Sequence, residues 1–182
     1  MTDEGTPFDL RDGRTMLFRP IRPDDLEEML EMGQRLSPRS VRMRFFTTRF
    51  DFKAAATRAF IEHLATVDYE TRMAYVGHLP GERAIRAIGR YETEMPGVAE
   101  VAFTVEDAFA GQGIGTHLLY LLADYARERG YHEFNAMTLA ENAAMLGVFR
   151  NSGFPCEVVH DGDTVRVVMD ITRPAVRLDQ RS

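Results

Sequence analysis

The chain has 182 residues, of which 45% are hydrophobic and 27% are charged, and its formal net charge at pH 7 is −6. This length predicts one domain with a substantial core, and the acidic balance argues against nucleic acid, which usually binds a basic face. No apolar run approaches the ~18 residues of a membrane span, and the acidic N-terminus is unlike a signal peptide. With a single cysteine, Cys156, these features predict a cytoplasmic protein that binds neither nucleic acid nor membrane.

The first part of the chain predicts short helices followed by an antiparallel meander. Residues 1–13 and 174–182 are polar and aperiodic, so both are predicted to be loose ends. The predicted elements are a strand over 15–22, helices over 24–36, 39–46 and 53–65, and strands over 72–79, 84–94 and 98–105. Proline–glycine turns at 79–81 and 95–97 separate the last three strands, which is typical of antiparallel hairpins.

After residue 105 the pattern changes to alternating strands and helices. The predicted elements are a helix over 115–129, a strand over 134–139, a helix over 142–151, and strands over 157–159 and 164–171. A meander followed by this alternation predicts an α/β (α+β) fold with a mixed, mostly antiparallel sheet of about seven strands and helices on both faces. We expect a single domain over 1–182, with an ordered core at about 14–172.

A glycine-rich loop lies between the strand that ends near Val105 and the following amphipathic helix. Its sequence at 110–116 is Ala-Gly-Gln-Gly-Ile-Gly-Thr. Glycines allow a tight turn with accessible N–H groups, and the helix start adds unpaired N–H groups and a positive dipole end, so the loop predicts a pyrophosphate site. A dinucleotide-binding motif would need a third glycine where Leu118 stands, which makes that alternative weaker.

Several stretches together resemble the signature block of the GNAT superfamily of N-acetyltransferases. They are Ala-Glu-Val-Ala-Phe-Thr-Val at 99–105, Gly-Gln-Gly-Ile-Gly-Thr-His-Leu-Leu at 111–119, Glu-Asn-Ala-Ala-Met at 141–145, and Gly153-Phe154. They occur in the family's order and spacing, and the resemblance extends over roughly 15–172. It implies the GNAT (acyl-CoA N-acyltransferase) fold and transfer of an acetyl group from acetyl-CoA, as co-substrate, to an amine.

Two positions depart from the family pattern. Ala110 stands where the motif has glutamine or arginine, so a side-chain contribution there is lost although the backbone cradle should survive. Phe149 stands where many members have a tyrosine that protonates the departing CoA thiolate, which leaves the general acid unassigned.

Two stretches also resemble the catalytic domains of bacterial protein lysine acetyltransferases. They are the Leu-Ser-Pro-Arg-Ser-Val-Arg-Met-Arg-Phe-Phe run at 36–46 and the Ala-Glu-Val-Ala-Phe run at 99–103. In that family such domains acylate lysines of acyl-CoA synthetases, and many are fused to a regulatory domain that is not recognised in this sequence. The resemblance implies a protein acceptor such as an acyl-CoA synthetase.

Glu100 is the candidate general base. Strand alternation puts it on one face with Ala102 and Thr104, and an acid in so apolar a strand should be partly desolvated, which raises its pKa. The family places its glutamate base at the corresponding position in some members. The alternative is a structural ion pair with one of the many arginines, and Glu92 and Glu94 are the next candidates for the base.

The remaining site residues follow from the resemblance. The Thr104 backbone N–H is expected to polarise the thioester carbonyl, and Phe103 and Val105 to bond the pantetheine arm as an added strand would. The phosphate-binding loop comprises Gly111, Gln112, Gly113, Ile114, Gly115 and Thr116. Asn142 is expected to cap its helix, and contact with pantetheine is an equally open role.

Other side chains leave alternatives open. The segment 39–50 either walls the acceptor site or consists of core phenylalanines and solvated arginines. The five histidines have no metal-ligand spacing, so no metal is predicted, and Cys156 is expected to be a packed thiol. Two other functions remain possible: N-acetylation of a small amine, and non-catalytic acyl-CoA sensing that regulates a partner. An NAD-binding protein is a distant third.

Overall fold

An eight-stranded sheet organises the computed structural model, which describes residues 5–47 and 50–176. The strands are β1 (Thr6–Asp9), β2 (Thr15–Pro20), β3 (Arg72–His78), β4 (Ile85–Met95), β5 (Val98–Val105), β6 (Glu133–Leu139), β7 (Cys156–Asp161) and β8 (Thr164–Asp170). Their order across the sheet is β1-β2-β3-β4-β5-β6-β8-β7. All neighbours are antiparallel except β5 and β6, which are parallel, so the predicted mixed sheet is confirmed.

Five helices cover the two faces of the sheet. They are α1 (Leu26–Arg35), α2 (Pro38–Phe45), α3 (Ala55–Ala65), α4 (Ile114–Arg127) and α5 (Ala143–Arg150). Helices α4 and α5 pack their apolar sides on one face, and α1 to α3 pack on the other, which gives two separate hydrophobic clusters. No helix in residues 5–47 and 50–176 has the length and apolar character that crossing a membrane requires.

The N-terminal segment differs from the loose end that its sequence predicts. Residues 6–9 form the edge strand β1, and Leu10 after it is only 4% exposed. The Phe8 ring explains this, because it stacks on His117 with ring centroids 4.1 Å apart and packs edge-on against Phe18. These contacts are with residues distant in sequence, so a four-residue stretch gave no local sign of them. Residues 1–4 and 177–182 lie outside the described part.

Two local predictions also need correction. The helix expected from residue 24 begins as a single 3-10 turn at Pro23–Asp25, where the Asp25 carboxylate accepts two 2.7 Å hydrogen bonds from Arg19. The strand expected at 157–159 extends over all of β7, which is the outer strand of the sheet. Cys156 at its start is therefore exposed, and the prediction of a packed thiol is wrong.

Candidate active site

Strands β5 and β6 diverge, and the opening between them is the centre of the site. They pair only over Val98–Glu100 with Glu133–Asn135, although β5 continues to Val105 and β6 to Leu139. Beyond Glu100 the β6-facing edge of β5 therefore has no strand partner among the described residues. An unpaired strand edge can bond an extended ligand as an added strand.

The register decides which N–H groups face this opening. Just after β5, Glu106 donates its N–H to the Arg86 carbonyl of β4 at 2.9 Å. N–H groups of successive strand residues point to opposite edges, so the Thr104 N–H also points toward β4. The N–H groups of Phe103 and Val105 point into the opening. The oxyanion role expected of the Thr104 N–H therefore does not fit this register, and Phe103 offers the nearest alternative donor.

A groove of about 570 Å³ runs from this opening to the start of α4. It is lined by every residue that the sequence assigns to the cofactor: Phe103, Thr104, Val105, Gly111, Gln112, Gly113, Ile114, Gly115, Thr116 and Asn142. The free edge of β5, the glycine loop and the start of α5 thus lie along one continuous surface. This surface can hold an extended ligand.

The glycine loop turns the chain directly into α4. Gly111 and Gly113 have φ values of 75° and 86°, which are strained for other residues, and Gly113 is the N-cap of the 14-residue helix. The N–H groups of the first helical turn have no partner within the helix and point toward the groove end. This arrangement favours an anion at the loop.

The loop between β1 and β2 supplies a cation that the sequence did not indicate. Arg11 lines the groove, and its Nη1 donates to the Gly111 carbonyl at 3.1 Å. The neighbouring Asp12 N–H donates to Gln112 Oε1, also at 3.1 Å. Arg11 thus places a guanidinium beside the glycine loop. The loop itself has Ala110 at the position where the family motif has glutamine or arginine. A separation of 100 residues explains why no local pattern could have found it.

Side-chain contacts hold helix α2 to both sides of the groove. At its start, Ser37 and Ser40 each donate a hydroxyl to Asp107 Oδ1, at 2.8 and 2.7 Å. Arg42 forms an ion pair with Glu141, in the loop before α5. Since Asp107 follows β5 and Glu141 follows β6, these contacts hold α2 across the opening.

The segment 39–50 contains both core phenylalanines and residues that line the groove. Phe45 and Phe50 stack with ring centroids 4.1 Å apart and belong to the α1–α3 hydrophobic cluster. Arg39 and Arg44 instead line the groove. Arg49 lies outside the described residues.

Glu100 has no hydrogen bond or ion pair among the described residues, so none of their arginines forms a structural ion pair with it. Its side chain is exposed at the end of the paired region, on the sheet face that carries Ala102 and Thr104. Desolvation by the surrounding protein raises the pKa of its carboxyl, repulsion from Glu94 adds to this, and Arg44 acts in the opposite direction. Because the side chain remains exposed, a covering acceptor would strengthen the desolvation.

The other two carboxylates near Glu100 both have partners. Glu92 lies directly opposite Glu100 on β4 and pairs with Arg90 at 3.1 Å. Glu94 accepts a 2.6 Å hydrogen bond from Asn135. Of the three candidate bases, only Glu100 has a carboxylate without a described partner.

Two further predictions concern α5. Asn142 caps it, because its Oδ1 accepts the Met145 N–H at 3.2 Å. Phe149 is 1% exposed and packs against Phe103 in the core, and no tyrosine lines the groove in the part of the chain that the structure describes. In the same part, no three His, Cys, Asp or Glu side chains are grouped as a metal site needs.

Comparison with known proteins identifies the family. The family model described as an acetyltransferase (GNAT) domain matches residues 15–155. The chain belongs to the GNAT acetyltransferase family. It is therefore an acetyl-CoA-dependent N-acetyltransferase.

Similar proteins agree with this assignment. Acetyltransferase PA5475 of Pseudomonas aeruginosa is 34% identical over 148 residues, which are 80% of this chain and 77% of that protein. Acetyltransferase Pat of Mycolicibacterium smegmatis is 33% identical over 149 residues, 81% of this chain but only 43% of Pat. The crystal structure of the GNAT domain of S. lividans PAT superposes with a TM-score of 0.80 at 30% identity, covering 93% of this chain and 98% of that domain.

Proposed function

We propose that this enzyme acetylates a lysine side chain of a protein, such as an acyl-CoA synthetase, with Glu100 as the general base. The observation that carries the proposal is the Glu100 carboxylate, which lies where β5 and β6 part and has no partner in the part of the chain that the structure describes. A lysine of pKa about 10.4 is only ~0.1% neutral at pH 7.4, so a positioned base accelerates attack by the amine.

The groove supports a definite orientation for acetyl-CoA. The pyrophosphate lies against the first-turn N–H groups of α4, with Arg11 as an added cation. The pantetheine arm follows the free edge of β5 and bonds the backbone of Val105. The Phe103 N–H, the first beyond the paired region that faces the opening, then bonds the thioester carbonyl and takes the oxyanion role first expected of Thr104.

The reaction proceeds by direct attack. Glu100, alone or through a water, accepts a proton from the lysine ammonium, and the neutral amine attacks the thioester carbonyl. The tetrahedral oxyanion is stabilised by the Phe103 N–H, and the carbon–sulfur bond then breaks. Since Phe149 has no acidic proton and faces the core, the CoA thiolate takes its proton from water or from the attacking amine.

The surface beside Glu100 favours a protein over a small amine. Asn135 lies next to Glu100 on the same sheet face, and two residues further along β6 Met137 is 53% exposed. Opposite Met137 lie exposed Arg166 on β8 and then Val159 on β7, which is 46% exposed. Exposed apolar side chains beside a charged residue on an open sheet face are typical of a protein docking surface, whereas a small amine needs an enclosed pocket.

The acceptor is tested by reacting purified acyl-CoA synthetases with acetyl-CoA and this enzyme, followed by mass spectrometry. We expect a single acetyl-lysine on at least one synthetase. Lys53 is the only lysine of the chain, so a Lys53→Arg enzyme removes self-acetylation at lysine as a source of signal. The control reaction omits the enzyme and measures spontaneous acetylation.

Two results would contradict the proposal. Efficient acetylation of free amino acids or polyamines with no modified synthetase would indicate a small-amine enzyme. Tight acetyl-CoA binding without thiol release in the presence of any amine would indicate a sensor that regulates a partner.

A further inference from the structure

A second, smaller cavity lies under the acceptor face, between helices α1 to α3 and strands β3 to β5. Its volume is about 40 Å³. Most of its wall is apolar and includes Met32, Leu36, Phe52 and Ile88. A water needs roughly 10–15 Å³ of such volume, so the cavity has room for about three to four non-hydrogen atoms.

This cavity adjoins the acyl end of the acetyl-CoA groove. Arg44 and Thr104 line both spaces, and Ala102 lines the cavity on the same strand face. With the thioester at Phe103, as proposed above, the acyl group lies between Ala102 and Thr104, which both line the cavity. The cavity is therefore placed to receive the far end of an acyl group longer than acetyl.

Two arginines in its wall have donors with no acceptor among the described residues. Arg90 is only 6% exposed, its Nη2 pairs with Glu92, and its buried Nη1 has no hydrogen-bond partner in the described part of the chain. Arg44 is partly buried and makes no hydrogen bond or ion pair with a described residue. Desolvation, with Arg90 second, lowers the pKa of Arg44 to about 10. Buried donors are nearly always satisfied, so Arg90 Nη1 points to a missing acceptor. The Arg44 guanidinium, which lies over the Phe45 ring with its carbon 5.0 Å from the ring centroid, is a second donor on the same wall.

We infer that the cavity accepts the carboxylate of a short dicarboxylic acyl group, so the enzyme also uses malonyl-CoA or succinyl-CoA as acyl donor. Malonyl adds three non-hydrogen atoms to acetyl and succinyl adds four, which matches the available volume. A carboxylate suits the fork of donors on arginine, whereas a neutral chain would leave Arg44 and Arg90 unsatisfied.

The reaction is the same acyl transfer with a different acyl group. The amine nitrogen bonds the thioester carbonyl carbon, the carbon–sulfur bond breaks, and CoA leaves as the thiol after taking up the proton lost by the amine. The product is an amide that ends in a free carboxylate, so the charge of the acceptor lysine is reversed. No oxidant, reductant or metal takes part.

The inference rests on the proposed acyl site, and a donor panel separates the two. The wild-type enzyme is assayed for CoA thiol release with acetyl-, butyryl-, malonyl- and succinyl-CoA and one common acceptor. We expect kcat/KM for malonyl-CoA or succinyl-CoA to lie within about tenfold of that for acetyl-CoA, because charge-assisted hydrogen bonds offset the loss of hydration.

Three variants distinguish charge from size. Arg44→Met keeps the bulk but removes the guanidinium, so the ratio of kcat/KM for succinyl over acetyl should fall by about 10- to 100-fold while the butyryl ratio does not fall. Arg44→Lys should restore part of the succinyl ratio. Ala102→Val narrows the cavity and should lower the butyryl and succinyl ratios together. Arg83, which is exposed and lines neither the cavity nor the groove, provides Arg83→Met as the matched control.

The possible results differ clearly. Acetyl transfer with malonyl and succinyl rates more than a hundredfold lower overturns this inference and leaves the proposed function intact. Butyryl use without malonyl or succinyl use also overturns it, since the cavity would then be a neutral chain pocket. No transfer from any donor overturns the proposed function itself.

Discussion

The phosphate cradle is tested most sharply by placing a carboxylate at Gly113. An ideal Cβ at this position lies 3.6 Å from Phe8 and 4.0 Å from Arg11 Nε, so a side chain fits but touches the proposed cation. The carboxylate of Gly113→Asp would repel the pyrophosphate and also pair with Arg11. Both effects act against acetyl-CoA, and neither requires the fold to change.

The expected size follows from Coulomb's law. At about 4 Å two unit charges interact by about 1 kcal/mol in water and about 4 kcal/mol at an effective dielectric constant near 20. The groove is open at this end, so the repulsion lies between these values and weakens acetyl-CoA binding by about tenfold to several hundredfold. Raising the salt concentration should narrow the difference, because exposed charges are screened.

Two matched variants separate charge from backbone strain. Gly113→Asn has nearly the same shape and the same positive φ but no charge, so it should bind acetyl-CoA clearly more tightly than Gly113→Asp. Gly81 in the β3–β4 turn has φ 76° and open space around it, so Gly81→Asp carries similar strain away from the groove. Calorimetric titration gives Kd for each. Equal Kd values for the Asp and Asn variants would refute the pyrophosphate assignment.

Three further predictions concern the surrounding residues. Arg11→Met should weaken acetyl-CoA binding by about three- to tenfold and reduce its salt dependence, whereas Arg83→Met should change neither; equal affinities would remove Arg11 from the site. Asn142→Ala should cost about 1 kcal/mol of stability, or about 2–4 °C in Tm, and Asn142→Ser should restore it; weaker acetyl-CoA binding by the Ser variant would instead support a pantetheine contact. Burial raises the pKa of Glu100 in the folded protein. At pH values above the normal pKa range of a carboxyl group, ionised Glu100 therefore lowers the stability of the fold. Glu100→Gln should therefore hold or raise Tm at pH 7.5, with the difference vanishing near pH 3, and a lower Tm at pH 7.5 would argue for a structural role.

Local signals explain what could be predicted from the sequence. The bounds of β5 at Val98–Val105 agree with the structure because Pro-Gly precedes the strand and five of its eight residues are β-branched or aromatic. The glycine loop and α4 could also be predicted. Backbone with positive φ favours glycine, and the buried face of α4 appears in the sequence as a strong apolar stripe. The strand, loop and helix that form one side of the groove could therefore be predicted from the sequence alone.

Features set by distant contacts could not be predicted. Arg11 reaches Gly111 only because β1 packs beside α4 through Phe8. Alternation put Thr104 on the correct sheet face, but the edge to which its N–H points depends on pairing with β4. The cavity beside Arg44 arises from the packing of three helices on the sheet, and no single segment encodes it.

The central claim is that Glu100 activates the acceptor amine, and turnover measured against pH tests it most directly. Glu100→Gln and the neighbouring control Glu94→Gln are compared with the wild type, using the best acceptor of the synthetase panel. Glu100→Gln should lower turnover by about 10²–10⁴-fold at pH 7.5, keep Kd for acetyl-CoA nearly unchanged, and recover partly toward pH 9.5, where more amine is already neutral. Glu94→Gln should stay within a few-fold of wild type. Near wild-type turnover of Glu100→Gln at pH 7.5, or a loss that is equal at every pH, would contradict the claim.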